Sequence, residues 1–344
     1  MISDRSLSFP RLLEAPLVTA GFKREAADFQ VVEELGFTPE GGGEHIYLRI
    51  RKTGENTAWV ATQLAAFAGV RALDVNFSGR KDRHAITEQW FSCWKPGKDM
   101  PDFESFCQQH DGLELLEVQR YNKKLRRGSH QANKFTIRLR NLHCDSLTSE
   151  SSAHSEKIRD EIEVRLRRLQ SDGFANYFGE QRFGKETQNL QMADKLFCGE
   201  KVPRAQRDIY LSAARSYMFN SMLGQMIEAG EYHVALENAS LDLSHATQSI
   251  GRDGIKNDEP RGWLYGKSRV STDAAVMRAY EGVFPDWAAG LTKVGMKAQL
   301  RELRVMPRDL RWHFDGTDLV LSFSLPTGSF ASEFLKELVI YGES

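Results

Sequence analysis

The chain has 344 residues, of which 41% are hydrophobic and 27% are charged, and its formal net charge is −1 at pH 7. These values are typical of a globular protein with a large core and room for two domains. A net charge so close to zero does not by itself indicate a protein that binds RNA.

The sequence argues against a membrane protein and against a metal or disulfide scaffold. The longest apolar run, residues 59–70, is interrupted by Thr62 and Gln63 and is too short to span a bilayer. The N-terminal residues show no signal-peptide pattern, so we expect a cytoplasmic protein. The cysteines form no CxxC pair, which argues against a zinc site and against disulfide bonds. They are Cys93, Cys107, Cys144 and Cys198.

The first predicted elements are strands and one helix. Residues 31–33 and 46–50 have the apolar pattern of strands. A strand, a loop and a second strand then carry Val75-Asn76-Phe77 and Asp82. Between them, Asn56-Thr57 can cap a helix whose apolar positions fall on one face, namely Val60, Leu64 and Phe67.

The middle of the chain predicts a strand and then a long helix. Residues 134–140 alternate between apolar and polar side chains, as a half-buried strand does. Residues 141–155 are rich in Ser and predict a loop. A helix follows Ser155, and Gly173 is its expected C-terminal stop. Its apolar side consists of Ile158, Ile162, Leu166 and Leu169.

The last predicted elements are a hairpin and a short helix. Asp315-Gly316 separates two alternating apolar runs, and this arrangement is a strong hairpin signal. The amphipathic helix that follows has Phe334, Leu335 and Leu338 on its apolar side.

Basic residues are concentrated between Tyr121 and Arg140. This segment contains seven Lys or Arg and no Asp or Glu. On a nearly neutral protein it predicts a surface that attracts a polyanion, and a solvated strand and turn is the alternative. The cations are Lys123, Lys124, Arg126, Arg127, Lys134, Arg138 and Arg140.

One segment suggests chemistry. Asp82 lies among Arg80, Lys81, Arg83 and His84. Nearby cations favour the ionised carboxylate, so they lower its pKa, and they also attract phosphate. An ionised carboxylate on such a surface suggests a nucleophile or general base that acts on a nucleic acid. A solvated charged turn between two strands is the alternative.

Residues 77–90 resemble the active-site motif of the TruD family of tRNA pseudouridine synthases, in which the aspartate after Gly-x-Lys is catalytic. Here that aspartate is Asp82. The chain departs from the family pattern at Ala26, where the family usually has Pro, and at Ala132, where it usually has Gly. Other blocks are similar to the family's motifs in the same order, and they are Phe22-Lys23, Asp28-Phe29 with Val31-Val32-Glu33, Gly43-Glu44-His45, Lys52, Asn56-Thr57, Asn133-x-Phe135, Asn176-Tyr177-Phe178-Gly179-x-Gln181-Arg182-Phe183-Gly184, Ala213-Ala214-Arg215-Ser216 with Phe219-Asn220, and Pro326-x-Gly328-Ser329-Phe330-Ala331.

The resemblance implies an α+β fold and an isomerase. A catalytic domain with a mixed, mainly antiparallel sheet flanked by helices would comprise residues 1–172 and 306–344. An inserted α/β domain, the TRUD domain, would occupy residues 173–305. The implied reaction converts a uridine of tRNA, at position thirteen of the D arm, to pseudouridine. The implied partner is tRNA. Because the reaction is a redox-neutral rearrangement, we expect no metal, nucleotide or other cofactor.

The resemblance makes Asp82 the catalytic residue. Addition to the base, addition to the sugar and abstraction of a proton are three roles that stay open for it. The target base must leave its stack to reach the carboxylate. Lys23 is expected to balance charge or contact the substrate, and Lys81 to bind the substrate. His84 is interpreted as a surface or structural histidine.

Three further side chains are expected to form the uracil pocket. Asn133 can offer a donor and an acceptor to the uracil edge or to the Asp82 carboxylate. Phe135 is expected to stack on the target uracil, and a core residue on an alternating strand is the alternative. Phe330 is expected to wall the pocket, again with a core position as the alternative.

Two other functions compete with this one. A metal-dependent nuclease or hydrolase would use Asp74, Asp82 and His84, but no second acidic cluster accompanies them, and the basic residues around Asp82 would repel a divalent ion. A catalytically silent RNA-binding protein would be favoured by the loss of Asp82, and Asp82 is present.

Overall fold

The computed structural model describes residues 5–144, 152–232, 260–267 and 274–343. The chain divides into two compact units, each made of several segments. One unit, which we call the sheet unit, comprises Pro16–Ser171, Met306–Ala331 and Leu338–Ser344. The other, the helical unit, comprises Met1–Ala15, Asp172–Val305 and Ser332–Glu337.

Strands are numbered in chain order. They are β1 (Thr19–Phe22), β2 (Phe29–Glu34), β3 (His45–Thr53), β4 (Val75–Phe77), β5 (Ile86–Trp94), β6 (Leu113–Tyr121), β7 (Ala132–His143), β8 (Phe174–Ala175), β9 (Arg261–Leu264), β10 (Gln299–Glu302), β11 (Arg304–Val305), β12 (Arg308–Asp315), β13 (Asp318–Pro326) and β14 (Ile340–Glu343).

The sheet unit is built around one ten-stranded sheet. Its strand order is β12-β13-β7-β2-β5-β3-β6, with β1 between β7 and β14 and with β4 beside β5. The pairs β1–β14 and β2–β5 are parallel, and the other pairs are antiparallel. The predicted hairpin is confirmed as β12–β13, where Gly316 takes the left-handed conformation with φ of 62°. The expected mixed, mainly antiparallel sheet is therefore present.

Helix α1 (Thr57–Ala68) covers one face of β3 and β5. Asn56 caps it as predicted, because its side chain accepts a hydrogen bond of 2.9 Å from the Ala58 N–H. Val60 and Leu64 are buried against the sheet, whereas Phe67 is 36% exposed. Phe67 was predicted on the same face, but its ring lies against α2 (Phe103–Gln108) instead.

Helix α3 (Ser152–Asp172) ends where Gly173 takes φ of 73°, as the sequence predicted. Its predicted apolar side is buried throughout. The predicted loop 141–155 is shorter than expected, because β7 runs to His143 and the helix begins at Ser152. Residues 145–151 of that loop lie outside the described residues.

The helical unit packs helices beside two small antiparallel ladders, β8–β11 and β9–β10. Its longest described helix, α5 (Arg207–Glu228), buries Phe219 and Asn220. Across the described ranges of the chain, no helix is both long and apolar enough to cross a membrane. The remaining helices are α4 (Gln188–Phe197), α5 (Arg207–Glu228), α6 (Ala274–Val283), α7 (Pro285–Lys293) and α8 (Ala331–Leu338).

Candidate active site

Asp82 lies on the loop between β4 and β5, and both of its carboxylate oxygens have partners. Lys23 Nζ donates to Oδ2 at 2.5 Å, and the backbone N–H of His84 donates to Oδ1 at 3.0 Å. Burial alone would raise the pKa of Asp82, but the hydrogen bond and charge of Lys23 outweigh it, so the pKa lies below its usual value. The carboxylate is therefore ionised at neutral pH.

The low pKa of Asp82 was expected, but its main source was not. The sequence pointed to the cations next to Asp82, whereas the dominant one is Lys23, which follows β1. Arg83 directs its guanidinium to the Gly54 carbonyl at 2.8 Å, and Lys81 pairs with another carboxylate. Among these neighbours, His84 is exposed and contributes a smaller stabilising charge.

Lys23 has an unusual backbone conformation for a residue with a side chain. Its φ is 54°, in the left-handed region. Such a conformation costs roughly 1–3 kcal/mol and persists only where surrounding contacts hold it. Here the Lys23 ammonium lies 4.4 Å from the ring centroid of Phe29 and 5.1 Å from that of Phe22. These two rings and the carboxylate of Asp82 together define the position of the ammonium.

Lys52 supports the loop from inside the protein. Its side chain is fully buried, and Nζ donates to the Asp82 carbonyl and to the Glu55 carbonyl, both at 2.8 Å. Burial lowers the pKa of Lys52 to about 8. Sequence reasoning did not assign Lys52 to the site, although a signal was present: Lys52 continues the inward-facing alternation of Ile46, Leu48 and Ile50 on β3.

Lys81 forms a second buried contact under the loop. Its Nζ lies 2.6 Å from Oε2 of Glu33, and its side chain is 6% exposed. Glu33 also accepts a hydrogen bond from the Trp90 N–H at 3.2 Å. Burial raises the pKa of Glu33 despite the neighbouring ammonium. The structure thus places Lys81 in a buried ion pair, and it adds Glu33 to the site.

Side chains also hold the backbone of this loop. Thr57 Oγ1 accepts a hydrogen bond from the Lys81 N–H at 3.0 Å and donates to Gln89 Oε1 at 2.8 Å. Gln89 in turn donates to the Gly79 carbonyl at 3.2 Å. The loop is therefore bound at Gly79, Lys81 and Asp82, which limits the positions that the Asp82 carboxylate can take.

Asn133 reaches the loop through a buried histidine. Asn133 Nδ2 lies 3.1 Å from His130 Nε2, and His130 Nδ1 lies 2.5 Å from Ser78 Oγ. Burial, assisted by the charge of Lys81, lowers the pKa of His130 to about 4, so the ring is neutral. Asn133 Oδ1 is buried and has no hydrogen-bond partner in the described part of the chain. The described residues therefore leave this buried acceptor unused.

The two phenylalanines of the predicted pocket have different surroundings. Phe135 is 7% exposed and stacks on Phe323, with ring centroids 5.5 Å apart. Its ring centroid also lies 6.0 Å from that of Phe29, and the Lys23 ammonium lies 4.4 Å from the Phe29 centroid. Phe135 is therefore one ring away from the cation that pairs with Asp82. Phe330 is half-buried immediately before α8.

Six of the seven cations of the predicted basic segment fall into two groups, and the seventh, Lys134, is exposed on β7. Arg138 and Arg140 are neutralised by ion pairs with acidic side chains. The loop between β6 and β7 carries four exposed cations that form no ion pair with any described residue. The Gly128 N–H anchors this loop, since it donates to the Ser78 carbonyl at 2.8 Å. We call these four residues the basic loop: Lys123, Lys124, Arg126 and Arg127.

The residues of the competing metal hypothesis do not come together. Asp74 pairs with Arg71 at 2.8 Å, and His84 is exposed. Within the ranges that the structure describes, no group of three His, Cys, Asp or Glu side chains is arranged to hold a metal ion.

Comparisons with known proteins agree on one family. Residues 12–199 match the family model described as tRNA pseudouridine synthase D (TruD). The chain is 38% identical over 339 residues to tRNA pseudouridine synthase D of Aeromonas hydrophila, which covers 94% of this chain and 92% of that protein. It is 39% identical over 347 residues to the protein of the same name from Cellvibrio japonicus, covering 98% and 94%.

The fold is also similar to a solved structure. The crystal structure of a tRNA pseudouridine synthase D (TruD) candidate from Methanosarcina mazei superposes with a TM-score of 0.61 at 17% identity. The match covers 96% of this chain and 95% of the other. It confirms the α+β fold that the sequence predicted.

Burial of Lys52 predicts how stability depends on pH. Its pKa is about 8 in the folded protein, against 10.5 for an ordinary lysine. Between these values the unfolded chain binds more protons, so the free energy of unfolding should rise with pH. Across this pH range, the free energy of unfolding of the unaltered protein should rise by up to roughly 3 kcal/mol relative to that of Lys52→Met. Denaturant unfolding at several pH values measures this difference.

The control is Lys98→Met, which removes an exposed lysine from the same unit. Lys98→Met should follow the unaltered protein at every pH. Parallel curves for the unaltered protein and Lys52→Met would contradict the predicted effect of burial.

Proposed function

The chain belongs to the tRNA pseudouridine synthase D (TruD) family, and we propose that it isomerises a uridine of tRNA to pseudouridine with Asp82 as the catalytic carboxylate. The observation that carries the proposal is the ionised carboxylate of Asp82 on a loop held by buried side chains. The target that we propose is uridine thirteen of the D arm, and the cytoplasm is the proposed place of action.

The reaction rearranges one bond and one proton. The N1–C1′ bond of the uridine breaks, the uracil turns, and a C5–C1′ bond forms. The proton on C5 is lost and N1 gains one, so substrate and product are isomers. Asp82 enters this sequence as a nucleophile at C6 or C1′, or as a base on the sugar. Each of these routes requires an ionised oxygen that can reach the substrate.

Lys23 and Asn133 have complementary proposed roles. When Asp82 shares its electrons with the substrate, negative charge moves towards the detached uracil. The Lys23 ammonium, 2.5 Å from Oδ2, is placed to balance that charge. The unpartnered Oδ1 of Asn133 would accept a hydrogen bond from a uracil N–H. Lys81, by contrast, supports the loop in this proposal through its pair with Glu33.

Aromatic side chains would compensate the cost of flipping the target base. Flipping costs a few kcal/mol, and one base–aromatic stack returns about 1–3 kcal/mol. Only the ring of Phe29 separates Phe135 from the Lys23 ammonium, and this position favours stacking of Phe135 on the flipped uracil. The low exposure of Phe135 favours a core role instead. Phe330, which is half-buried, is proposed as a wall of the pocket.

The two units have separate proposed roles. We assign catalysis to the sheet unit, which holds Asp82, Lys23, Lys52 and Asn133. We propose that the inserted domain, residues 173–305, makes up most of the helical unit, which also contains Met1–Ala15 and Ser332–Glu337. In this assignment the basic loop binds the tRNA backbone beside the catalytic loop, to which Gly128 anchors it.

Replacing Asp82 by Asn tests the chemistry. Asn keeps the size of the side chain and one of the two acceptor oxygens that Lys23 and the His84 N–H use, but it supplies no nucleophile or base. We expect pseudouridine formation to fall below detection while tRNA binding stays within about tenfold, or about 1.4 kcal/mol. Chemical mapping of pseudouridine on unmodified transcripts, with filter binding, measures both.

Asp74→Asn is the matched control, because Arg71 is the ion-pair partner of this carboxylate among the residues that the structure describes. It should remain active, and activity should persist in excess EDTA. Isomerisation by Asp82→Asn would reject Asp82 as the catalytic residue. A strict need for added metal together with an inactive Asp74→Asn variant would favour the metal-dependent hypothesis.

Neutralising the basic loop tests its proposed binding to RNA. Replacement of its four cations by Ala should weaken tRNA binding for all sequences. The slope of log K for tRNA binding against log salt concentration should become shallower by about 0.7–0.9 for each phosphate that the loop no longer neutralises. Titrations at several salt concentrations measure this slope, and an unchanged slope would assign the loop to a solvated face away from RNA.

Phe135→Leu separates the two roles of this ring. If the ring stacks on the flipped uracil, the chemical step should lose about 1–3 kcal/mol of stabilisation, while leucine largely preserves the fold. Single-turnover rates and thermal melts on the same samples measure both effects.

Phe323→Leu is the control, because it perturbs the same aromatic stack from the neighbouring strand. It should lower the melting temperature, as the loss of packing contacts in a core does, and leave the single-turnover rate per folded molecule unchanged. If Phe135→Leu behaves in the same way, Phe135 is a core residue.

A further inference from the structure

The cations on the loop that carries Asp82 differ in how they are used. Lys81 is held in a buried ion pair, and Arg83 donates to the Gly54 carbonyl at 2.8 Å. Arg80 is exposed, and it forms no hydrogen bond or ion pair with any residue that the structure describes. The charge of the Arg80 guanidinium is therefore not compensated within the described part of the chain.

The backbone is fixed on both sides of Arg80. The Gly79 carbonyl, which precedes Arg80, accepts a hydrogen bond from Gln89 Nε2 at 3.2 Å. The Lys81 N–H, which follows Arg80, donates to Thr57 Oγ1 at 3.0 Å. Thr57 and Gln89 are themselves buried, and Thr57 Oγ1 donates to Gln89 Oε1 at 2.8 Å. Only the side chain of Arg80 would therefore lose freedom on binding a ligand, which keeps the entropic loss small.

Arg80 is close to the position that the proposed reaction gives to the substrate. It lies two residues before Asp82, so their Cα atoms are at most about 7 Å apart. The proposed function places C6 or C1′ of the target uridine at the Asp82 carboxylate. C1′ belongs to the sugar that joins the phosphates on the 5′ and 3′ sides of the nucleotide. A uridine that reaches Asp82 therefore brings two anionic groups close to Arg80.

The other charges of the loop leave this task to an uncompensated cation. Lys23 balances the charge of Asp82, and Glu33 balances the charge of Lys81. Each of these pairs has no net charge, so it attracts a phosphate only weakly. The Arg80 guanidinium, in contrast, keeps both its charge and its hydrogen-bond donors for a group outside the described chain.

We propose that Arg80 binds one of the two phosphates that flank the target nucleotide and so positions its sugar at Asp82. A guanidinium can contact two oxygens of one phosphate, which fixes orientation as well as distance. The rearrangement leaves the phosphate unchanged, so this contact has the same strength before and during the chemical step. Arg80 is thus a positioning residue. The inference rests on the proposed function, which makes this uridine the substrate.

The alternative is a solvated arginine that meets no particular phosphate. Such a residue would attract the whole RNA weakly through solvent, and salt would screen the attraction. The two roles differ in one respect that can be measured. If Arg80 binds one phosphate, removal of the charge from that phosphate should matter only while Arg80 is present.

A double-mutant cycle between protein and RNA tests this dependence. In the protein, Arg80→Gln removes the charge of an exposed side chain. In the RNA, a methylphosphonate linkage removes the charge of the phosphate on the 5′ or the 3′ side of the target uridine. The probe is a tRNA assembled from synthetic oligonucleotides. One of the two linkages should weaken binding to the unaltered protein severalfold and should have much less effect on binding to Arg80→Gln.

Arg71→Gln is the control, because Arg71 is exposed in the same unit and Asp74 compensates its charge. Arg71→Gln should retain the full effect of the linkage. Kinetics supply a second readout: Arg80→Gln should raise KM severalfold and leave kcat nearly unchanged, because a contact that is equal in the ground state and the transition state affects only KM. Thermal melts verify that both variants are folded.

Two results would overturn the inference. One is an equal effect of each linkage on the unaltered protein and on Arg80→Gln, which would show that neither phosphate contacts Arg80. The other is a lower kcat of Arg80→Gln at an unchanged KM, which would assign Arg80 to the chemical step.

These results are distinguishable from failure of the proposed function. Pseudouridine mapping on the unaltered protein tests the reaction, and the cycle tests the phosphate contact. A protein that forms pseudouridine but shows independent effects of linkage and substitution would keep its function and lose this contact.

Discussion

Two buried ammonium groups determine the conformation of the loop that carries Asp82, the proposed catalytic residue. An ammonium inside a protein must have hydrogen-bond acceptors, because the cost of removing it from water is several kcal/mol. Lys52 satisfies this requirement with two backbone carbonyls, one of which belongs to Asp82 itself. Lys81 satisfies it with the carboxylate of Glu33. The loop cannot move away without leaving a buried charge unsatisfied.

This arrangement also decides which cation reaches the Asp82 carboxylate. Lys81 is the sequence neighbour of Asp82, but Glu33 occupies its ammonium. The Asp82 carboxylate is then left to one backbone N–H and to Lys23, which follows β1 and lies 59 residues away in the sequence. Lys52 and Lys81 thus support the loop, whereas Lys23 lowers the pKa of the Asp82 carboxylate. A substitution of Lys23 would therefore leave the contacts that support the loop in place.

Local sequence patterns anticipated the elements but not the partnerships. Alternation located β3 and β7, and Asp315-Gly316 located the last hairpin, because both signals act over a few residues. The partner of Asp82 is 59 residues away, and Glu33 is 48 residues from Lys81. Such contacts depend on which strands become neighbours in the sheet, and periodicity does not encode this. Phe67 shows the same limit, since its contact with α2 is tertiary.

The position of β1 has a consequence for the order of assembly during synthesis. β1 lies between β7 and β14, and it pairs with β14 in parallel through Thr19 and Ile340. More than three hundred residues must leave the ribosome before that outer partner of β1 is available. Contacts of such long sequence separation form late, because closing a long loop is entropically costly. Lys23 follows β1 directly, so in a nascent chain the strand beside Lys23 would gain its second partner only after β14 has been synthesised.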